Sequence, residues 1–148
     1  MPRRCSLIRL GALAVLALLA LPGAALAECS LNIIGVSFGG YDPFNATDTD
    51  ITGSISVHCD VDTSVQMSLS AGSGPFATRQ MKSGLNSLFY NLYTDPSRLT
   101  IWGDGSPGTS LVSFSGTSGS HTVYGRIPGH QNVPVGAYGD TITVTLTF

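Results

Sequence analysis

The fold is decided by one stretch of the sequence, Asp140-Thr141-Ile142-Thr143-Val144-Thr145-Leu146-Thr147-Phe148. From Thr141 onward, each threonine is followed by a large apolar residue. A period of two with β-branched residues on both faces is typical of a strand that is buried on one face only. The stretch therefore predicts a strand whose apolar face is formed by Ile142, Val144, Leu146 and Phe148.

Similar short runs recur upstream of this strand. They are Leu31–Phe38, Ile51–Cys59, Val65–Leu69, Leu88–Tyr93, Leu99–Trp102, Leu111–Phe114 and Thr122–Ile127. Turn signals separate them, among them Asp95-Pro96, Asp104-Gly105 and the run from Gly116 to Gly119. No window of ten or more residues after residue 27 keeps a helical period. Short strands at this spacing predict one all-β domain, a sandwich or a small barrel.

The composition also disfavours helices. The 148 residues include 18 serines and 14 threonines but only one lysine, Lys82, and one glutamate, Glu28. Charged residues make up 11 % of the chain, against about 25 % in an average globular protein. A chain with so little Lys and Glu lacks the residues that usually cover exposed helix faces. Neutral hydroxyl groups must cover its surface instead.

Residues 1–27 have the pattern of a secretory signal peptide. Three arginines precede an apolar run from Leu10 to Leu21, and Ala25-Leu26-Ala27 supplies the small residues of a cleavage site. The apolar run of 12 residues is shorter than the roughly 20 that span a bilayer. We therefore predict a cleaved leader, a single domain at residues 28–148 and no membrane span after cleavage.

Cleavage after Ala27 changes the charge and the cysteine count. It removes three arginines and no acid, which leaves four basic and nine acidic residues and a net charge of −5. Such a chain has no basic surface for nucleic acid. Cys29 and Cys59 remain as an even pair in an exported protein, which predicts one disulfide. With the cysteines 30 residues apart, this bond stabilises the fold by roughly 3.5 kcal/mol on the chain-entropy model.

The sequence contains no motif for catalysis or for a cofactor. The three histidines, His58, His121 and His130, stand at no metal-ligand spacing, and no Gly-x-Ser-x-Gly elbow occurs. Asp48 and Asp50 could supply oxygen ligands to Ca²⁺, but their segment lacks the glycine and the distal glutamate of a helix–loop–helix site. We therefore predict no cofactor, no metal site and no catalytic residue.

The last strand predicts an open sheet edge. An immunoglobulin-type sandwich needs a further strand beside its penultimate one to close the core, and residues 140–148 end the sequence. A sheet edge with a bare apolar face is a liability that proteins usually cover. We expect the cover to come from elsewhere in the chain or from another chain.

Several segments share a pattern with a known family. In chain order they are Val36–Asp42, Gly53–Cys59, Tyr90–Asp95 with Arg98, Trp102–Gly105, Val123–Pro128 with Gln131, Val133-Pro134, and Gly136–Tyr138 leading to Asp140–Val144. Together they resemble the spore coat protein U domain, found in subunits of archaic chaperone–usher pili of the Csu type. The resemblance covers nearly all of the chain after residue 27. It implies an incomplete immunoglobulin-like β-sandwich that lacks its last strand and is completed by a donor strand from a partner.

The resemblance also implies partners and a site. A periplasmic chaperone, an outer-membrane usher and strand-donating pilus subunits are the expected partners, and the expected destination is a fimbria or a secreted coat. Ile142, Val144, Leu146 and Phe148 are expected to line the groove that binds the donor strand or the chaperone. A basic residue of the chaperone is expected to hold the terminal carboxylate, and the disulfide to pin the first strand to the second.

One feature departs from the family pattern. Rod subunits that resemble this chain carry a donor segment before the first cysteine, whereas Cys29 would be the second residue after cleavage. We therefore predict a structural subunit that accepts a donor strand without giving one, at the tip or cap of a fibre. Two alternatives stay open: a tip adhesin whose loops near Pro75-Phe76 and Pro107-Gly108 bind a surface, and, less favoured, a sandwich-fold enzyme or inhibitor.

Overall fold

The computed structural model describes residues 27–148, which form six β-strands and no α-helix. The strands are β1 (Cys29–Ile34), β2 (Thr49–Leu69), β3 (Arg79–Ser83), β4 (Asn86–Tyr93), β5 (Val112–Ile127) and β6 (Val144–Thr147), with a 3₁₀ turn at Phe76–Thr78. The predicted all-β class is confirmed. The predicted signal peptide, residues 1–27, lies outside the described residues except for Ala27. Within the described part, no helix is long and apolar enough to cross a membrane.

Two long strands, β2 and β5, form the centre of one curled sheet. They pair antiparallel along most of their length, with a register shift between His58 and Thr63. The strand order is β1-β2-β5-β4-β3, and β6 also pairs with β2. Because β5 occupies one edge of β2, β1 and β6 both lie on its other edge, β1 opposite Ser54–Cys59 and β6 opposite Gln66–Leu69. The two layers of the predicted sandwich are thus formed by one continuous sheet.

Four of the predicted strands are joined in pairs. Ile51–Cys59 and Val65–Leu69 both belong to β2, whereas Leu111–Phe114 and Thr122–Ile127 correspond to parts of β5. The run Gly116–Gly119, predicted as a turn, lies inside β5. That prediction was wrong because glycine also suits a strand that bends, and this run lies opposite the register shift of β2.

Three other predicted strands have different bounds. β1 ends at Ile34, so that the chain leaves the sheet before the predicted end of the strand. The predicted strand Leu99–Trp102 makes only isolated bridges, which join Ile101 to Tyr93 and Trp102 to Ser110. The last strand, predicted over residues 140–148, is shorter and spans only Val144–Thr147, and the residue before Asp140 makes an isolated bridge to β3.

The core lies inside the curl of the sheet and is anchored by Trp102. Its ring is fully buried, and its Nε1 donates a hydrogen bond of 3.1 Å to the carbonyl of Met67. Arg79 is buried beside it and donates hydrogen bonds of 2.7 Å to Asn91 Oδ1 and to the carbonyl of Trp102. The other buried apolar residues are Ile55, Val57, Cys59, Val65, Met67, Leu69, Leu88, Tyr90, Leu92, Val123 and Ile127.

Candidate functional site

An open apolar groove of about 680 Å³ lies between two segments of the chain that do not pair with each other. One wall is the segment that follows β1, and the other is the segment that leads into β6. The floor consists of core side chains of β2, β4 and β5, such as Ile55, Leu92 and Val123. The lining residues are Gly35–Tyr41 and Pro43 on one side, next to Ile33 and Ile34 of β1, and Val133–Gly136, Tyr138–Asp140, Ile142 and Val144 on the other.

The wall that follows β1 packs directly on the backbone of the sheet. Val36 and Phe38 lie over Gly125 of β5, where a Cβ atom would come within 2.7 Å of Val36 Cγ1 and 2.9 Å of Phe38 Cζ. Phe38 also meets the ring of Tyr90 edge-on, with 6.0 Å between the ring centroids. Residue 125 must therefore lack a side chain for this wall to lie where it does.

The backbone of this wall is unpaired. Among residues 27–148, the amides and carbonyls of residues 35–40 make no backbone hydrogen bond. Tyr41 fixes the end of the wall, because its hydroxyl donates to the carbonyl of Pro128 at 3.2 Å and accepts the amide of Gln131 at 2.8 Å. Side chains thus hold this segment in place, while the backbone of residues 35–40 stays unpaired.

The wall that leads into β6 is paired on one edge only. Lys82 and Gly139 exchange two backbone hydrogen bonds of 2.8 and 3.1 Å, and the amide of Ser70 donates to the carbonyl of Thr143 at 3.0 Å. β6 then continues along β2. Within the described part of the chain, the opposite edge of residues 140–147 has no backbone partner.

The four groove residues predicted from the sequence occupy three kinds of position. Ile142 and Val144 line the groove. Leu146 lies opposite Met67 and is half-buried against the core, while the side chain of Phe148 is 64 % exposed. The threonines between them are exposed, in keeping with the alternation. That these four residues bind a donor strand or a chaperone stays a prediction.

β1 carries exposed apolar residues on the core side of the sheet, and one of them, Ile33, lines the groove. Leu31 and Ile33 stand opposite Val57 and Ile55, which are core residues, and residues opposite each other in a sheet point to the same face. Yet Leu31 is 38 % exposed and Ile33 is 49 % exposed. Large apolar side chains on the core side of a sheet stay this exposed when a covering layer is missing.

The groove is nearly free of charge. Within the described residues, Asp140 is the one ionisable acid or base in its lining apart from tyrosines. Its carboxylate accepts hydrogen bonds from the hydroxyl of Tyr90 at 2.7 Å and from the amide of Ser73 at 3.0 Å. Burial, and then this hydrogen bond, raise the pKa of the Tyr90 phenol, which therefore stays a donor. The groove suits a neutral apolar segment.

The candidate calcium ligands bind an arginine instead. Arg126 Nε lies 2.7 Å from an oxygen of Asp50 and 3.2 Å from an oxygen of Asp48. The hydrogen bond from Arg126 lowers the pKa of Asp50. Within residues 27–148, no group of three or more His, Cys, Asp or Glu side chains is placed to hold a metal ion.

The predicted disulfide between Cys29 and Cys59 is confirmed. The two sulfur atoms are 2.04 Å apart, and the two Cα atoms are 4.0 Å apart. The cysteines also face each other in the ladder between β1 and β2. The bond therefore pins the first strand to the second, at the end of β1 remote from the groove wall that follows it.

Sequence reasoning placed the groove on the last strand and missed the opposite wall. Val36 and Phe38 alternate within the predicted strand Leu31–Phe38, but nothing local indicates that the chain leaves the sheet after Ile34. The available signal was Gly125, because a glycine inside a strand often marks the close approach of another segment.

A family model and a known protein both match this chain. The model of the Spore Coat Protein U domain matches residues 15–145. Protein U of Myxococcus xanthus is 38 % identical over 128 residues, which cover 76 % of this chain and 71 % of that protein.

A solved structure is also similar. It is the CsuC–CsuE chaperone–tip adhesion subunit pre-assembly complex from archaic chaperone–usher Csu pili of Acinetobacter baumannii, matched with a TM-score of 0.62 at 27 % identity. The match covers 83 % of this chain and 40 % of the solved chain, so this chain spans less than half the length of that relative.

Proposed function

We propose that this chain, which belongs to the Spore Coat Protein U domain family, is a structural subunit of an exported surface fibre or coat and accepts a donor strand in its groove. The family supports the coarse part of the proposal, a structural pilus or coat subunit. The groove supports the finer part, since the unpaired backbone of residues 35–40 and the open edge of residues 140–147 flank an apolar floor. A partner's strand would pair with these edges and cover the floor.

The energetics of the groove support an acceptor role. Burying one large apolar side chain contributes about 1.5–3 kcal/mol. A donor strand that buries four such side chains would therefore contribute roughly 6–12 kcal/mol before its ordering entropy is subtracted. This gain is as large as the whole stability of a typical domain, about 5–15 kcal/mol. We therefore expect the isolated domain to be weakly stable and the complemented domain to be robust.

The partners follow from the same proposal. The solved relative is a complex of a chaperone with a tip adhesion subunit, which supports a chaperone as the partner of this chain before assembly. We infer that an outer-membrane usher and strand-donating subunits follow, and that the chain passes through the periplasm to the cell surface. A position at the tip or cap is part of the proposal, and the tip role of the relative supports it.

Surface adhesion is the second candidate function, and exposed loop residues favour it. Leu85, at the turn between β3 and β4, is 103 % exposed, and Leu99 is 84 % exposed. Of the loops first predicted to bind a surface, Pro107-Gly108 is exposed, whereas Phe76 is half-buried, with the guanidinium of Arg79 5.3 Å from its ring centroid. If the chain is an adhesin, replacing both leucines by serine should reduce attachment to a hydrophobic surface without changing strand uptake.

A tethered-donor protein tests the acceptor role. A strand as long as residues 140–148 that alternates Thr with Val is fused after Phe148 through a short Gly-Ser turn. Two versions are made whose turns differ by one residue, because a shift of one residue exchanges the two faces of a strand. The control carries a Gly-Ser segment of the same length.

For one of the two alternating versions, the free energy of unfolding measured by urea denaturation should be at least about 3 kcal/mol higher than for the control. It should also bind less of the dye bis-ANS, because the apolar floor is then covered. If both alternating versions match the Gly-Ser control in stability and dye binding, the groove is not a strand acceptor.

A further inference from the structure

Asp140 stands where the floor of the groove meets the wall that leads into β6. Its Oδ2 accepts a hydrogen bond of 2.7 Å from the hydroxyl of Tyr90, which belongs to β4. Its Oδ1 accepts hydrogen bonds from the amide and hydroxyl of Ser73, at 3.0 and 2.8 Å, and from the amide of Thr141 at 2.9 Å. One side chain therefore joins the wall to β4 and to the loop that follows β2.

The loop after β2 is shaped around this carboxylate. Gly72 has a φ of +67°, and a Cβ atom at this position would overlap the carboxylate of Asp140. Two separate constraints, backbone conformation and space, thus require glycine where the loop approaches the side chain. The aspartates of other turns differ: Asp104 accepts a hydrogen bond from the amide of Ser106, in its own loop.

The other hydrogen bonds that hold the wall in this region are weaker. They are the two backbone hydrogen bonds between Lys82 and Gly139 and the pair between Ser70 and Thr143, in which Thr143 also donates its amide to Ser70 Oγ at 2.9 Å. Hydrogen bonds to a charged group are roughly twice as strong as those between neutral groups. The carboxylate of Asp140 is therefore the strongest single attachment of this wall.

We propose that Asp140 is the positioning residue of the groove: through Tyr90 and Ser73 it holds the wall that leads into β6 at the distance at which a donor strand can pair with its open edge. The inference rests on the proposed function, strand acceptance, and adds the residue on which the groove's geometry depends. Tyr90 suits the role because its ring lines the groove while its hydroxyl reaches the wall. The role proposed for Asp140 is to fix the position of the wall, not to bind the donor strand directly.

Amide hydrogen exchange distinguishes positioning from general stability. Tyr90→Phe keeps the ring and removes only the hydrogen bond to Asp140. In the tethered-donor protein it should make the amides of Lys82, Gly139 and Thr143 exchange roughly tenfold faster. Amides of the ladder between β1 and β2 should keep their rates. Asp104→Ala, the control, should change neither set.

A second variant reaches the same attachment from the other side. Gly72 itself does not line the groove, but Gly72→Ala displaces the carboxylate of Asp140 and should accelerate the exchange of the same wall amides. The double variant Tyr90→Phe with Asp140→Ala should accelerate the exchange of the wall amides no more than Asp140→Ala alone, because both substitutions remove the same hydrogen bond. If Asp140→Ala does not fold, the exchange rates of Tyr90→Phe and Gly72→Ala still test whether the carboxylate holds the wall.

Two outcomes would overturn the inference. Unchanged wall exchange in Tyr90→Phe and Gly72→Ala would mean that the carboxylate does not hold the wall. An equal acceleration of wall and β1–β2 amides would mean that it contributes only to general stability. The exchange is also measured in the chain without the tether. If only the wall amides exchange faster in that chain, the positioning role is supported even when the tethered donor adds no stability. A tethered donor that adds no stability would contradict only the acceptor function.

Discussion

Gly125→Ala is the substitution that tests the wall following β1 most sharply. The added Cβ atom would lie 2.7 Å from Val36 Cγ1 and 2.9 Å from Phe38 Cζ, closer than carbon atoms approach each other. Neither neighbour is the end of a flexible side chain, because Val36 is β-branched and Phe38 packs against Tyr90. The wall must therefore move away from the sheet.

The cost follows from this overlap. Adding a methyl group to a well-packed site costs about 1–3 kcal/mol. The smaller side chain of Val36→Ala removes one of the two overlaps, so the double variant Gly125→Ala with Val36→Ala should lose less stability than the sum of the two single variants.

Urea denaturation of the tethered-donor protein measures both effects. The matched control is Gly40→Ala in the same wall, where nothing lies within 4 Å of the new Cβ atom. Its free energy of unfolding should change by no more than about 1 kcal/mol. If Gly125→Ala costs no more than Gly40→Ala, or if it shows no coupling with Val36→Ala, the wall does not lie on Gly125 and the geometry of the groove is wrong.

Replacing Cys29 and Cys59 together by serine should lower the free energy of unfolding in urea by roughly 3.5 kcal/mol, because the unfolded chain regains the freedom of a loop of 30 residues. Arg126 lowers the pKa of Asp50, so this pair stabilises the fold above pH 3.8 and the contribution disappears as the pH falls below that value. Since the pair is about one-third exposed, the loss should be at most about 1 kcal/mol, and Asp50→Asn should abolish it in acid titrations. Burial lowers the pKa of His121, whose Nε2 has no hydrogen-bond partner among the described residues, so stability should fall as the pH drops below 6.5. Melting curves of His121→Gln should lack this slope.

Much of the fold is predictable because the local sequence pattern indicates most of the strands. The alternation in residues 140–148 correctly predicts that Ile142, Val144 and Leu146 are partly buried while the threonines are exposed, but Phe148, at the end of the run, is exposed as well. The disulfide follows from an even number of cysteines in an exported protein, and the ladder between β1 and β2 places the two residues opposite each other. These features depend on neighbouring residues or on simple counting.

The groove was only half predictable, because its other half depends on contacts between distant segments. Nothing near Ile34 indicates that the chain turns there onto the face of the sheet, since the reason lies at Gly125, far along the chain. The structure of the run Gly116–Gly119 also depends on a contact with a distant segment. Its glycines suggest a turn locally, but pairing with β2 keeps them in one strand.

The attachment of Asp140 to Tyr90 is likewise invisible in the sequence, because the two residues are 50 positions apart. An aspartate before a strand usually bonds its own backbone, as Asp140 does at the amide of Thr141. The structure adds the partners that give this side chain its proposed role.

The most direct test of the central claim compares two neighbouring substitutions on opposite faces of β6. Val144 lines the groove, whereas Thr145 points to solvent on the outer face. Each is changed to Asp, and each variant is co-expressed with a periplasmic chaperone of a chaperone–usher system that binds the unchanged chain, with capture on the chaperone as the measurement. A charge in the groove has no partner and costs several kcal/mol. Val144→Asp should therefore abolish the complex, and Thr145→Asp should preserve it. Equal capture of the two variants would contradict a groove completed by a partner's strand.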